Sequence, residues 1–270
     1  MADMKIGIIG AGGRMGQACI RQVTETDGCI ITAASDISGS SLIGGDAGEA
    51  AGVGALGIAI TDDASEVIAA ADAIIEFTLP EPTVEHVAMT SNAGVAHIIG
   101  TTGTTVEQEE ILKEAGEKTV IMHAPNMSLA VNLLFALTKQ VAKVLDEDFD
   151  IEIFEMHHKH KVDAPSGTAV AMGRAAAIGR GVNIEDVAKW SREGITGERT
   201  RGDIGFAALR GGNVVGDHTV TFAADDERLE ISHKAQSRQI FARGAVHAAL
   251  WSAGQNPGFY TMFDVLGIDY

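Results

Sequence analysis

The chain has 270 residues and a formal net charge of −17, because 37 Asp and Glu residues outnumber 20 Lys and Arg residues. Nucleic acids and anionic membranes are bound by broad basic surfaces, so this excess of acid argues against both as partners. Apolar residues make up 46% of the chain, which is enough for one large domain or two modest domains with buried cores.

Neither the start of the chain nor its most apolar segment is typical of a secreted or membrane protein. The first strand pattern begins at Met4, which leaves no room for a signal peptide. Residues 120–138 form the most apolar long stretch but contain His123 and Pro125, so they do not predict a membrane span. Cys19 and Cys29 lie in segments predicted to be buried, and a disulfide framework is not expected. We expect a cytoplasmic protein.

Apolar runs of strand length alternate with helical patterns through the first half of the chain, which is typical of βαβ units and a parallel sheet. The strand candidates are residues 5–10, 29–35, 57–61, 73–78, 95–100 and 119–124. Helices are predicted over residues 15–23 and 82–93, and Thr105 with Gln108 forms a candidate capping box for a third helix. The glycine-rich residues 39–57 predict a surface loop.

The pattern changes after Pro125. The second half predicts a long helix over residues 128–145, a strand pattern over 150–160, and a helix over 165–178 with Pro165 near its first position. Alternating strands then flank the acidic turn at 225–227, which indicates antiparallel pairing. A last helix over residues 238–253 is expected to pack back on the first domain.

The stretch IGIIGAGGRMG, residues 6–16, follows a strand pattern and opens a helix. Glycines here allow a tight turn and a close approach of the backbone to a pyrophosphate, which free amides at the helix start would bind. The spacing departs from strict G-x-G-x-x-G, and glycine turns also serve packing alone, so both interpretations stay open. The candidate cofactor residues are Gly10, Ala11, Gly12, Gly13, Arg14 and Met15.

Asp36 ends the second strand pattern, where a dinucleotide-binding domain places an acid on the ribose hydroxyls. The alternative is an aspartate that caps a turn before Ser38. An acid at this position repels a 2′-phosphate, and Ile37 follows it instead of an arginine, so the sequence favours NADH over NADPH. Arg14 is the remaining cation that would support NADPH.

Three further strand ends carry loop-forming residues, at 78–80, 100–103 and 124–127. Ligands of open α/β sheets bind outside the carboxyl ends of the strands, so these loops are expected to surround a nicotinamide. The predicted fold class is therefore α/β, with a Rossmann-like dinucleotide-binding domain and a second α+β domain built on a mixed or antiparallel sheet. We assign residues 1–126 and 240–270 to the first domain, and residues 127–239 to the substrate-binding and oligomerisation domain.

Residues 157–161, HHKHK, form a histidine-lysine cluster that contains no acid. A solvated basic face and a metal site are the alternatives to a catalytic role, and metal is disfavoured because no cysteine and few carboxylates accompany the histidines. Ser166, Gly167 and Thr168 follow at a helix N-terminus, which is an anion-binding arrangement. The combination predicts a small anionic substrate and a nearby proton donor, since reduction of an unsaturated bond by hydride leaves charge to be protonated.

The stretch HHKHKVDAPSGTA together with GAGGRMG resembles the 4-hydroxy-tetrahydrodipicolinate (dihydrodipicolinate) reductase family, as do EFTLPEPT, GTTG, APNMS and ISHKAQSR. The resemblance implies NAD(P)H-dependent reduction of a cyclic dicarboxylate in lysine and diaminopimelate biosynthesis, by a homotetramer assembled through the sheets of the second domain. It gives His157 and Lys161 the proton-donor roles. It also implies the following binding residues: His158, Ser166, Gly167 and Thr168 for substrate, and residues 10–15, Asp36, Gly100, Thr101, Thr102, Ala124, Pro125, Asn126 and Met127 for cofactor.

Two departures and two alternatives accompany the resemblance. Many family members carry arginine after the ribose acid, where this chain has Ile37, so strong use of NADPH is not expected. Lys159 stands where arginine is common and keeps the charge.

Two alternative functions remain open. One is another two-domain nicotinamide-dependent dehydrogenase of amino-acid metabolism, which a panel of substrates would distinguish. The other is a dinucleotide-sensing module without catalysis, which would bind NADH and reduce no acceptor.

Overall fold

The computed structural model describes residues 2–270. They form two compact units, which we name the first and the second unit. The first unit contains residues 2–129 and Arg238–Asp269, and the second contains Ala130–Ser237 and Tyr270.

Strands and helices follow one another in both units. In chain order, the strands are β1 (Met4–Ile9), β2 (Cys29–Ser35), β3 (Ile60–Thr61), β4 (Ala73–Glu76), β5 (Ala96–Ile99), β6 (Val120–His123), β7 (Asp150–His157), β8 (Ala188–Lys189), β9 (Ile204–Arg210), β10 (Gly216–Ala223), β11 (Arg228–Ala235) and β12 (Gly258–Tyr260). The helices are α1 (Arg14–Thr24), α2 (Ala47–Ala51), α3 (Ala64–Ala69), α4 (Pro80–Ala93), α5 (Val106–Ala115), α6 (Leu129–Val144), α7 (Gly167–Arg180), α8 (Ile184–Val187), α9 (Gln239–Ser252) and α10 (Met262–Leu266).

The first unit is built on one parallel sheet in the order β12-β6-β5-β4-β1-β2-β3. Strands that are covered on both faces read as continuous apolar runs, and all four residues of both β4 and β5 are buried. Helix α9 packs against α1 and against β4 and β5. The core between them includes Ile6, Ile75, Ile98 and Val246. The predicted Rossmann-like fold class is confirmed.

Residues 39–57 contain more regular structure than the predicted surface loop, because Asp46 organises them. Its carboxylate caps α2 and also accepts hydrogen bonds from the amides of Leu56, Gly57 and Ile58. These bonds, led by that from Leu56, lower the pKa of Asp46 to about 2. Since the three amides are bound to Asp46, the strand predicted over residues 57–61 shortens to β3.

Local side-chain chemistry fixes where two further helices begin. Helix α5 starts at the predicted capping box, in which Thr105 and Gln108 each bind the other's backbone amide through their side chains. Helix α7 starts at Gly167, because Ser166 Oγ accepts a hydrogen bond from the Ala169 amide and makes Ser166 the cap. Pro165 therefore precedes the cap, and the helix predicted to begin at residue 165 begins two residues later.

The second unit is built on a five-stranded mixed sheet in the order β11-β10-β7-β9-β8. Strand β10 is antiparallel to β7 and β11, whereas β9 is parallel to β7 and β8. Helix α7 packs on the face of this sheet that contains Ile153 and Phe206, and a β-carbon on Gly173 would lie 2.4 Å from the Phe206 ring. The opposite face presents Phe154 and Leu209 as exposed side chains.

Cys19 and Cys29 are both free and buried. Burial raises the pKa of the Cys19 thiol to about 12, which keeps it protonated. Within residues 2–270, no helix has the length and apolar character needed to cross a membrane.

Candidate active site

The glycine-rich loop between β1 and α1 is anchored to the end of β2. The amides of Gly10 and Ala11 both donate to the Ser35 carbonyl, at 2.9 and 2.8 Å. Gly10 has a φ of +85°, which favours glycine. A β-carbon on Gly16 would lie 2.1 Å from the Gly10 carbonyl oxygen. Glycine at both positions therefore lets the start of α1 lie close to β1.

Asp36 lies beside this loop. A β-carbon on Gly12 would lie 2.3 Å from Asp36 Oδ2, so the missing side chain leaves room for the carboxylate. The cap residue of α1 is Gly13, which offers no side-chain acceptor to the amides of the first turn. Helix N-termini of this kind attract anions. A carboxylate next to such a helix end suits the ribose and the pyrophosphate of a dinucleotide.

A cavity of about 410 Å³ lies at the same place in the first unit. Among the described residues that line it, none is a lysine or an arginine, and two acids, Asp36 and Asp62, are present. Arg14 is exposed and Met15 packs against the core. The cavity wall includes the following residues: Gly10, Gly13, Asp36, Ile37, Phe77 and His86.

The predicted nicotinamide-side loop contacts the segment that follows β4. Thr101 Oγ1 accepts a hydrogen bond from the Thr78 amide at 3.2 Å, and Thr101 is buried. A β-carbon on Gly100 would lie 2.1 Å from the Phe77 ring. The structure thus brings these two strand ends together, next to residues that line the 410 Å³ cavity.

The segment after β6 is placed differently from the glycine loop. Thr102 and Pro125 line a second cavity of about 290 Å³, and neither lines the first one. Ala124 and Met127 are buried, and Asn126 Oδ1 accepts a hydrogen bond from the Ser128 amide at 2.9 Å. Any contact of residues 124–127 with a cofactor stays a prediction.

Glu76, at the end of β4, is a buried carboxylate that the sequence analysis missed. His86 Nδ1 lies 2.9 Å from its Oε1 and His97 Nε2 lies 2.9 Å from its Oε2. The hydroxyls of Thr78 and Thr83 donate to Oε1. Burial, the largest influence, raises the pKa of Glu76, but the close contacts with His86 and His97 outweigh it and bring the pKa to about 2. Because His86 lines the 410 Å³ cavity, this anion orders one of its walls.

In the second unit, His157 is the last residue of β7 and is bound to Glu155 on the same side of the strand. Its Nδ1 lies 2.6 Å from Glu155 Oε2. Arg210, at the end of β9, donates to both Glu155 oxygens at 2.8 and 2.9 Å, and the Ser166 amide donates to Oε1 at 3.0 Å. The side chain of Glu155 is 1% exposed, and that of His157 is 10% exposed.

These contacts keep Glu155 ionised. Burial is the largest single influence and raises its pKa, whereas the hydrogen bonds from Arg210, His157 and the Ser166 amide lower it. The net effect is a pKa below the usual value. An ionised carboxylate can only accept hydrogen bonds, so His157 carries a proton on Nδ1.

His218 on β10 lies beside His157, with ring centroids 5.0 Å apart. Its Nε2 is 3.0 Å from Ser166 Oγ. Burial, followed by the electrostatic influence of His157, lowers the pKa of His218 to about 3. His218 is therefore neutral, and its Nε2 accepts a hydrogen bond from the Ser166 hydroxyl if Nδ1 carries the proton.

Of the predicted substrate residues, Ser166, Gly167 and Thr168 form the N-terminus of α7, and Ser166 is bound within the protein. Its amide is bound to Glu155 and its hydroxyl joins His218 and the Ala169 amide. Gly167 is exposed, and a β-carbon there would meet nothing within 4 Å. Thr168 and His158 are partly exposed. The role of these residues toward a substrate stays a prediction.

The histidine-lysine cluster separates into buried and exposed members. Lys161 Nζ lies 2.9 Å from Asp163 Oδ1, and this hydrogen bond is the main cause of a lowered pKa at Asp163. Lys159 and His160 are exposed. In the described part of the chain, no three His, Cys, Asp or Glu side chains are grouped as a metal ion requires.

Sequence reasoning missed Glu155, Arg210 and His218. The alternation of buried residues along β7 contains the signal for Glu155, because positions 155 and 157 lie on one side of the strand. Arg210 and His218 reach Glu155 and His157 only through the pairing of β9 and β10 with β7. No local pattern in the sequence announces that pairing.

Comparison with known proteins gives the family. A Rossmann-like unit with a glycine-rich loop, followed by a mixed-sheet unit, is typical of two-domain nicotinamide-dependent oxidoreductases. Residues 4–127 match the family model described as dihydrodipicolinate reductase, N-terminus, and residues 130–266 match that described as dihydrodipicolinate reductase, C-terminus. The chain belongs to the dihydrodipicolinate reductase family. Enzymes of this family are oxidoreductases that use a nicotinamide dinucleotide.

Full-length relatives agree with this assignment. The 4-hydroxy-tetrahydrodipicolinate reductase of Ruegeria pomeroyi is 56% identical over 261 residues, which cover 97% of each chain. The enzyme of the same name from Afipia carboxidovorans is 52% identical over 268 residues, which cover 99% of this chain and 98% of the relative.

Solved structures share the fold. Dipicolinate-bound dihydrodipicolinate reductase from Paenisporosarcina sp. TG-14 has a TM-score of 0.76 at 20% identity and covers 97% of this chain and 98% of that chain. GenD2 from gentamicin A biosynthesis, in complex with NAD, has a TM-score of 0.61 at 12% identity and covers 98% and 91%. At these identities the similarity shows the fold alone.

The neutral state of His218 predicts a pH-dependent stability. Folded His218 stays neutral down to about pH 3, whereas an unfolded histidine accepts a proton below about pH 6.5, so the unfolded state binds more protons in this window. His218 therefore lowers the free energy of unfolding by roughly 1 kcal/mol when the pH falls from about 7.5 to about 5.5. Urea denaturation at the two pH values measures this decrease in the free energy of unfolding. In His218→Gln, the decrease is smaller by the contribution of His218. His247→Gln, at an exposed histidine, is the control, and an equal loss in His218→Gln and the unmodified protein would contradict the expectation.

Proposed function

We propose that this protein catalyses the reduction of 4-hydroxy-tetrahydrodipicolinate to tetrahydrodipicolinate in lysine and diaminopimelate biosynthesis. One reduced nicotinamide dinucleotide and one proton are consumed, and the oxidised dinucleotide and one water are released. The observation that carries the proposal is the full-length match, at 52% to 56% identity, to enzymes of this name. The glycine-loop site of the first unit binds the cofactor. The His157 site of the second unit binds the substrate and supplies the proton.

The first unit binds the cofactor. The amides at the start of α1 hold the pyrophosphate through the loop Gly10–Met15, and Asp36 accepts hydrogen bonds from the ribose hydroxyls. The missing β-carbon of Gly12 next to Asp36 supports this fit. Residues 100–102 and 124–127 are assigned to the nicotinamide side. When bound, the reduced dinucleotide supplies the hydride.

The preferred cofactor is NADH. A 2′-phosphate beside Asp36 and Asp62 would meet two carboxylates, and Ile37, which is 77% exposed, offers it no hydrogen bond. Like charges repel one another more strongly in a cavity than in bulk water, so this pair of acids opposes binding of the phosphate. Arg14 at the start of α1 is the candidate cation for a 2′-phosphate, and it keeps NADPH as a weaker cofactor.

The second unit binds the dicarboxylate substrate and handles the proton. The amides of Gly167 and Thr168 lie at the positive end of the α7 dipole, where a carboxylate is stabilised. His158 provides a further donor, and Ser166 holds the helix start in place. His157 and Lys161 donate the proton that follows hydride transfer.

The open face of the second sheet supports a homotetramer. Phe154 and Leu209 are 43% and 52% exposed on this face, and Ala207 lies between them. Exposed apolar side chains on a sheet face indicate a surface that binds another protein. We assign this face to contacts between copies of the chain. We also propose that the assembled enzyme is located in the cytoplasm.

The proton-donor assignment predicts two inactive variants. His157→Gln and Lys161→Ala each lower kcat by about 10² or more, because lost general acids cost that much. NADH oxidation, followed by its absorbance and started with freshly made substrate, measures the rate, and a panel of other amino-acid precursors tests the alternative dehydrogenase function. Lys143→Ala, at an exposed lysine of α6, is the control. Turnover near normal in both variants would remove the assignment.

The cofactor preference predicts a gain of function at position 37. Ile37→Arg raises kcat/KM with NADPH by about tenfold or more, because a charge-assisted hydrogen bond to a phosphate contributes roughly 1.5–3 kcal/mol. Ile37→Gln, which adds length without charge, is the matched control. Parallel kinetics with both cofactors measure the effect, and a wild-type enzyme that prefers NADPH would refute the preference.

The proposed assembly predicts a variant with a smaller mass. Leu209→Lys places a charge on the open sheet face and breaks the tetramer, so light scattering gives a mass below four times that of one 28.2 kDa chain. Leu133→Lys, at an exposed leucine of α6, keeps the full mass. A wild-type protein that is monomeric would exclude the proposed interface.

A further inference from the structure

The Nδ1 side of the His157 ring is fixed by a charged partner. His157 Nδ1 lies 2.6 Å from Glu155 Oε2, and Arg210 donates hydrogen bonds to both oxygens of the same carboxylate. The partner of one ring nitrogen decides which nitrogen carries the proton in the neutral imidazole. With Glu155 ionised, the neutral ring is held in the Nδ1–H form, and Nε2 is the nitrogen that gains and loses a proton.

The Nε2 side of the ring faces a glycine. A β-carbon on Gly216, the first residue of β10, would lie 3.0 Å from His157 Nε2 and 3.4 Å from Cδ2. Polar atoms bind an imidazole nitrogen at about the same distance. The glycine therefore leaves a methyl-sized space at hydrogen-bonding distance from the one ring nitrogen that Glu155 does not hold.

We infer that Glu155 and Gly216 are positioning residues for proton transfer by His157: Glu155 fixes the proton on Nδ1, and Gly216 keeps the approach to Nε2 open. The inference rests on the proposed function, in which His157 donates the proton. It deepens that function by assigning the transferred proton to one atom and by naming two residues that lie outside the histidine-lysine cluster.

The transfer step balances with these groups. The Nε2–H bond of protonated His157 breaks, and the proton forms a new bond with the substrate atom next to the carbon that received the hydride. The electron pair of the broken bond stays on Nε2, and the Nδ1–H bond to Glu155 persists throughout. The one proton that the overall reaction consumes then comes from solvent to Nε2 and restores the donor.

A spectroscopic experiment tests the role of Glu155 without any turnover. The protein is labelled with ¹⁵N-histidine, and long-range ¹H–¹⁵N spectra at high pH report which nitrogen of each neutral ring carries the proton. The signal missing in His157→Gln belongs to His157. We expect the Nδ1–H form in the wild-type protein and a shift toward Nε2–H in Glu155→Gln. An Nε2–H form in the wild-type protein overturns the inference.

Substitution of Gly216 tests the open approach, and it is independent of whether Glu155→Gln folds. Gly216→Ala lowers kcat by about 10², the usual contribution of a general acid, while KM for NADH and thermal stability stay close to the wild-type values. The matched control is Gly211→Ala, whose β-carbon would also come within 3.0 Å of a neighbour, but of the flexible Met156 methyl group.

The outcomes separate the inference from the proposed function. If His157→Gln is inactive and Gly216→Ala keeps the kcat of Gly211→Ala, the inference fails and the proposed function stands. If His157→Gln itself keeps wild-type kcat, the proton-donor role fails and the inference fails with it. A selective loss of kcat in Gly216→Ala, together with the Nδ1–H form in the wild-type protein, supports both.

Discussion

The buried carboxylate of Glu155 is the group on which the site of the second unit depends. It accepts two hydrogen bonds from Arg210, one from His157 and one from the Ser166 amide, so one side chain joins β7, β9 and the start of α7. Removing one partner of a buried ion pair costs roughly 3–5 kcal/mol. The need of this carboxylate for donors therefore sets where the imidazole, the guanidinium and the helix end lie.

The first unit uses the same arrangement for a different ligand. Glu76, at the end of β4, is also buried, and it contacts His86, His97 and two threonine hydroxyls. In each unit a buried anion fixes a histidine that borders a proposed ligand site. The chain as a whole carries a charge of −17, yet Glu76 and Glu155 are hidden from solvent and paired with histidine or arginine. The net charge therefore says little about the charge that a ligand meets.

Sequence reasoning succeeded where the determining contacts are local. The capping box of Thr105 and Gln108 spans four residues, and the strands of the first sheet are continuous apolar runs, so both could be predicted. The strand predicted over residues 57–59 does not form, because the Gly57 and Ile58 amides donate to Asp46, more than ten residues earlier in the chain. The histidine-lysine cluster predicted a site in the second unit, but the contact between Glu155 and Arg210 depends on the pairing of β7 with β9. Contacts of that range depend on register, which no short motif encodes.

The long sequence separation between Glu155 and its partners has a consequence for how the chain acquires activity. Arg210 lies 55 residues beyond Glu155, and Ser166 lies 52 residues before His218. Closing loops of that length costs conformational entropy before the contacts form. Chains with many such long-range contacts therefore fold slowly. A nascent chain that ends before β9 would hold the Glu155 charge without its guanidinium partner. The proposed proton-donor site is therefore completed late in folding, after β9 and β10 have paired with β7.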